Sequence, residues 1–162
     1  ILLSYNLLMH CPLRSDKPIS TLITHNYPKQ DVSPEGIRAG MHTDFGTLTL
    51  LLTENKPGGL QVMGLDDEWH DVKPLPYTFI VNLGDLMQMW TNDVFKSTLH
   101  RVINTSGRER YSLVQFFGVD YNVMVEGLDT CISDKKPWKY EPIKAGVHSE
   151  NMVSATYHYD EM

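Results

Sequence analysis

Hydrophobic and polar positions along the chain change rhythm several times, and the changes predict its elements. Residues 1–9 (ILLSYNLLM) carry apolar side chains at helical spacing and predict an opening helix. Pro12 and the polar residues 14–17 break that pattern, after which residues 19–27 are β-branched and alternating and predict a strand. Ser33, Pro34 and Gly36 mark a loop, and residues 45–53, rich in Leu and Thr, predict a fully buried strand. Further short strands are predicted at 60–63, 68–72, 78–82, 86–90, 98–104 and 111–119. Turn residues separate them, among them Gly64 with Asp66, Pro74 with Pro76, Gly84 with Asp85, and Ser106 with Gly107. Residues 145–155 predict a helix laid over one sheet. Short strands at regular intervals with this punctuation point to a mainly β sandwich or jelly roll with helices at both ends, and away from alternating strand–helix units.

Length narrows the organisation. At 162 residues and 41% hydrophobic content the chain suffices for one well-buried domain, and nine prolines and eleven glycines spread along it leave no linker or repeat. A net charge of -6 with no dense basic stretch argues against a nucleic-acid surface. No apolar run reaches the ~18 residues of a membrane span, and no segment has signal-peptide character. Cys11 and Cys131 lack metal-like pairing, so free thiols and a cytoplasmic location are expected. The chain lacks a starting Met and opens inside the helix-like stretch, so it is expected to be part of a longer protein.

Two constellations carry candidate chemistry. His42 and Asp44 are two positions apart, at the start of the strand-like segment, so their side chains project to one side and can share an ion. His100, in the strand predicted at 98–104, can supply a third ligand. Two imidazoles and a carboxylate suit iron(II), leaving positions open for substrate and dioxygen, whereas a structural zinc site would be closed. The His-x-Asp pair alone is common in surface loops. Arg110 and Ser112 share one face of the last strand and form a fork for a carboxylate; the alternative is a surface Arg110 paired with Glu109 or Asp120. Phe116 lies further along that face. Leu50, Leu52 and Phe116 are candidate walls of a water-excluding site, with Leu50 and its neighbours in the uninterrupted leucine run as alternatives. His10, His70, His148 and His158 read as structural or surface residues, and Trp69 and Trp90 as core. His25 admits both core packing and a place on a pocket rim.

Taken in order, GIRAGMHTDFGTLTLLL, GGLQV, VNLGDLMQMWTNDVFKSTLHRV and RERYSLVQFF resemble the isopenicillin N synthase-like family of 2-oxoglutarate and iron(II)-dependent dioxygenases. The resemblance runs from about residue 19 to 119. It implies a double-stranded β-helix (jelly roll), an iron(II) site at His42, Asp44 and His100, and 2-oxoglutarate held by Arg110 and Ser112, with Tyr27 hydrogen-bonding that cosubstrate. It further implies oxidation of a small organic molecule by dioxygen, through hydroxylation, desaturation or ring formation, with release of succinate and CO2. His25 stands where plant relatives usually carry Asn. Residues 1–162 would then form one catalytic domain, with the usual N-terminal region lying upstream. Two rival readings share the motifs: an iron oxidase in which Arg110 and Ser112 grip a substrate carboxylate without 2-oxoglutarate, and a non-catalytic ligand-binding barrel.

Overall fold

A computed structural model describes residues 18–29, 37–56, 58–103 and 106–158. The helix expected at 1–9, with His10 and Cys11, lies outside the described residues. The described residues form ten strands: β1 (Thr21–Tyr27), β2 (Ile37–His42), β3 (Leu48–Thr53), β4 (Leu60–Met63), β5 (Trp69–Asp71), β6 (Ile80–Leu83), β7 (His100–Ile103), β8 (Arg110–Phe117), β9 (Met124–Val125) and β10 (Ile143–Lys144). Two α-helices, α1 (Asp85–Trp90) and α2 (Ala145–His158), and a 3-10 turn at Asp129–Cys131 complete the described elements.

Eight of the strands form two four-stranded antiparallel sheets, ordered β1-β8-β3-β6 and β2-β7-β4-β5, and β9 pairs with β10. This is the jelly roll that the alternating pattern predicts. Side chains at alternate positions of β8 (Arg110, Ser112, Val114 and Phe116) face a cavity between the sheets, as do Ile23, His25 and Tyr27 of β1. The period of two in the strand sequence is thus what aims these residues inward.

The buried apolar cluster lies elsewhere. Leu86 and Trp90 of α1 pack with Val119, Val125 and Ala145, so α1, the segment after β8 and the start of α2 make a closed core at one end of the barrel. Leu86 and Trp90 sit one helical turn apart and share a face, which is how a helix this short buries two large side chains.

Several expectations are corrected. Residues 86–90 form a helix and not a strand: Gly84, extended, ends β6, and the carbonyl of Gly84 accepts from the amides of Met87 and Gln88. His42 and Asp44 do not open the following strand. His42 ends β2, a strand the pattern did not predict, and Asp44 lies in the connection before β3. Helix α2 begins where expected, but it joins the core beside α1 instead of lying across a four-stranded sheet. Trp90 is buried, whereas Trp69 is half-buried beneath the Arg101 guanidinium, 4.0 Å from its ring centroid. No helix among the described residues is long and apolar enough to cross a membrane.

Candidate functional site

β2 and β7 run antiparallel, and His42 and His100 are direct cross-strand partners, with ring centroids 4.3 Å apart. Each imidazole is oriented in the same way. His42 Nδ1 donates to the Gly40 carbonyl at 2.8 Å, and His100 Nδ1 donates to the Thr98 carbonyl at 2.9 Å. Because a carbonyl can only accept, these bonds put the proton on Nδ1 and leave the Nε2 lone pair available.

Both Nε2 atoms point at one oxygen of Asp44. Oδ1 lies 3.8 Å from His42 Nε2 and 3.6 Å from His100 Nε2. The other oxygen, Oδ2, accepts from Thr49 Oγ1 at 2.5 Å and from Asn82 Nδ2 at 2.6 Å. One carboxylate oxygen is therefore occupied by β3 and β6, and the other faces the imidazoles. The three candidate ligand atoms lie within 4.8 Å of one another. Such a set, with each ligand fixed by an outer partner, fits a divalent metal held on one face, and its two nitrogens and one oxygen suit iron(II).

The turn that presents Asp44 is held by the start of α1. Consecutive amides of Gly84, Asp85 and Leu86 donate to the carbonyls of Thr47, Asp44 and Gly46 at 3.0, 2.8 and 3.0 Å. This approach requires glycine: a Cβ at position 84 would collide with the Gly46 carbonyl oxygen and fall 2.7 Å from that of Asp44. Asp85 adds a side-chain contact, its Oδ2 accepting from Thr43 Oγ1 at 3.3 Å, and His148 Nε2 of α2 stands 3.8 Å from the same oxygen. Burial pushes the Asp85 carboxyl up, but His148, Ser97 and Thr43 around it outweigh that and leave it below its usual range.

From this point a cavity of about 580 Å³ runs between the sheets. Arg110 and Ser112 line it, and Ser112 is buried. The register of β1 on β8 sets Tyr27 opposite Arg110 and His25 opposite Ser112, with the Arg110 guanidinium 5.1 Å from the Tyr27 ring centroid. Arg110 is therefore in the cavity wall. His25 stacks on Tyr27 and also lines the cavity, so it belongs to the pocket. Phe116 is a wall as expected. Leu50 and Leu52 are not: Leu51 faces inward, because Thr49 and Leu51 share the side of β3 that carries the Asp44 partner. The cavity thus brings together all six expected residues, Tyr27, His42, Asp44, His100, Arg110 and Ser112. A guanidinium and a buried hydroxyl in the wall of the cavity that also carries the three ligands fit a dicarboxylate that also chelates a metal.

Sequence comparison agrees with this arrangement. The profile of the 2OG-Fe(II) oxygenase superfamily matches residues 18–119. The chain belongs to that superfamily. It is 41% identical over 145 residues to the 2-oxoglutarate-Fe(II) type oxidoreductase hxnY of Emericella nidulans, covering 86% of this chain and 40% of that protein. Among solved structures, a full-length Neurospora crassa protein in complex with alpha-KG and thymine superposes with a TM-score of 0.81 at 32% identity, covering 88% of this chain and 46% of that one. The rice dioxygenase for auxin oxidation gives 0.74 at 28% identity, covering 85% and 46%. The chain spans less than half the length of these oxygenase relatives.

The pattern of residues did not single out Thr49, Asn82, Gly84 or Asp85 for the site. Thr49 lies in GIRAGMHTDFGTLTLLL, and Asn82, Gly84 and Asp85 lie in VNLGDLMQMWTNDVFKSTLHRV, so their signal was present without an assigned role.

Proposed function

We propose that this chain is the catalytic barrel of an iron(II)- and 2-oxoglutarate-dependent dioxygenase that oxidises a small organic molecule. The observation that carries this is the convergence of Asp44 Oδ1 and two imidazole Nε2 atoms in the cavity that also holds Arg110 and Ser112. When bound, iron(II) and 2-oxoglutarate supply the oxidising chemistry: decarboxylation to succinate and CO2 with dioxygen, coupled to oxidation of the substrate.

The residues of the chain bind, orient and exclude water. His42, Asp44 and His100 hold the metal on one face, and the Nδ1 hydrogen bonds keep both histidines in the ligating tautomer. Thr49 and Asn82 bind the outer oxygen of Asp44, so the carboxylate offers a single oxygen inward. Arg110 and Ser112 take the distal carboxylate of 2-oxoglutarate, and Tyr27, beside the guanidinium, hydrogen-bonds the cosubstrate. Leu51, Val114 and Phe116 keep water from the reacting atoms. The catalytic domain occupies residues 1–162, its core about 19–119, in a cytoplasmic protein with no nucleic-acid or membrane partner. The motif order supports placement near the isopenicillin N synthase-like branch.

The test is a screen of small molecules with the full natural polypeptide, measuring succinate against substrate consumed. One succinate per oxidised substrate is expected, with iron(II) bound stoichiometrically. Substrate oxidation without 2-oxoglutarate consumption would replace this function with an oxidase. Iron and 2-oxoglutarate binding with no turnover of any substrate would favour a ligand-binding barrel.

A further inference from the structure

We propose that the cavity selects a small, apolar-bodied substrate bearing one negative charge, and that Lys96 is the residue that recognises the charge. This deepens the proposed function and rests on it for the placement of metal and cosubstrate.

Lys96, Thr98 and His100 all line the cavity. They alternate along the stretch leading into β7, so the Lys96 side chain stands in the same inward row as a candidate metal ligand. Four residues span at most about 14 Å. The recognised group and the atom presented to the metal are therefore within one small molecule of each other.

Charge decides what such a molecule must carry. Asp44 is the sole carboxylate among the described residues of the wall, and Arg110 and Lys96 are its permanent cations. Asp44 faces the metal and Arg110 the cosubstrate. The charge of Lys96 remains. Its ion-pair partner is Asp93, whose Oδ2 lies 3.2 Å from Lys96 Nζ, yet the same oxygen is 2.7 Å from Lys139 Nζ. Tyr140 donates its hydroxyl to the other oxygen. One carboxylate thus faces two ammonium groups, and neither lysine has a second carboxylate partner among the described residues. The rim keeps one unit of positive charge.

Lys96 is also free to use it. Its side chain is 59% exposed, and an exposed ion pair is weak enough to be exchanged for a ligand carboxylate. The surrounding wall, with Ile23, Leu60, Val62, Val114 and Phe116, offers apolar contact to the rest of the substrate. A neutral molecule would leave the rim charge unanswered, and a cation would be repelled.

The test uses the full natural polypeptide loaded with iron(II) and 2-oxoglutarate without oxygen, and matched probes differing only in charge. These are 3-phenylpropanoate, its amide and 3-phenylpropylamine, with octanoate, octanamide and octylamine as a second skeleton. Calorimetry should show at least one acid binding about tenfold or more tighter than its amide. Lys96→Gln should bring acid and amide to within about twofold, Lys96→Arg should keep the preference, and Lys96→Glu should invert it toward the amine. The inversion is a gain that an unfolded variant cannot produce. No acid preference with either skeleton in the wild type, or an acid preference that survives Lys96→Glu, overturns the proposal. Titration of 2-oxoglutarate precedes each probe. Its failure to bind, alongside a Lys96-dependent acid preference, would remove the proposed function and leave this inference in place.

Discussion

The two ends of the barrel are built on opposite principles. At the helical end, Leu86, Trp90, Val119, Val125 and Ala145 pack into a dry core. Between the sheets there is a cavity instead, and order there comes from directed hydrogen bonds such as those on Asp44 and the two imidazoles. The short helix α1 belongs to both. Its side chains fill the core, while the amides at its start hold the Asp44 turn. A chain that must keep its middle open can place its stability beside the site, and fix the site through backbone groups that cost no cavity space.

Substitutions on the two sides should therefore fail differently. The largest effect is expected at the ligands. Asp44→Ala, His42→Ala or His100→Ala should each abolish iron-dependent turnover, because a set of three has no spare ligand. Metal analysis together with succinate formation checks this, and full activity in any two of the variants would remove the assignment. Next comes Arg110→Gln, which should weaken 2-oxoglutarate by roughly 30-fold or more, on the order of 2 to 5 kcal/mol, with iron binding retained. Arg110→Lys should fall between, since it restores charge without the planar fork.

The contrast sharpens within α1. Leu86→Ala should cost about 2 to 4 kcal/mol in denaturant unfolding, yet leave iron affinity unchanged in the folded fraction. Gly84→Ala should lower iron affinity itself, because its Cβ meets the carbonyls of Gly46 and Asp44. Equal effects of both on iron binding would erase the division drawn between the two ends.

The smallest effect is expected at Asp93. Partial burial raises its carboxyl, but Lys139, Tyr140 and Lys96 outweigh that and hold it far below the ordinary value of 3.8. A carboxyl depressed in the native state adds stability that is complete above the unfolded value and is lost as pH falls through the native one. The stability difference between wild type and Asp93→Asn should therefore be constant from neutral pH down to about pH 5 and shrink only in stronger acid. Urea midpoints measured across that range would show it, and a gap that widens on acidification would contradict it.

Much of the barrel was legible in the chain. β1 and β8 alternate cleanly because one face meets the cavity, and that alternation placed Arg110, Ser112 and Phe116 together in advance. β3 was visible as a strand but not in phase: LTLLLT is apolar on both sides of its leucine run, so nothing in the pattern chose Leu51 over Leu50. β2 was hidden because Gly40 interrupts it and its pairing with β7 shifts register twice, which removes the regular alternation. α1 was misread because six residues hold fewer than two helical turns, too few for a 3.6-residue period to stand out. The ligand set was legible only in part. The His42–Asp44 spacing is local, but the pairing of His42 with His100 belongs to the sheet.

That pairing has a thermodynamic consequence. His42 and His100 belong to one sheet, while Asp44 is bonded to Thr49 and Asn82 of the other. A metal ion at their meeting point would be a clasp joining the two halves of the roll, recognising the native chain and not the unfolded one. Occupancy and folding would then be linked by mass action, the melting temperature rising with free iron(II) and falling with a chelator. Within a cell, the supply of metal would govern how long the protein persists as well as how fast it works.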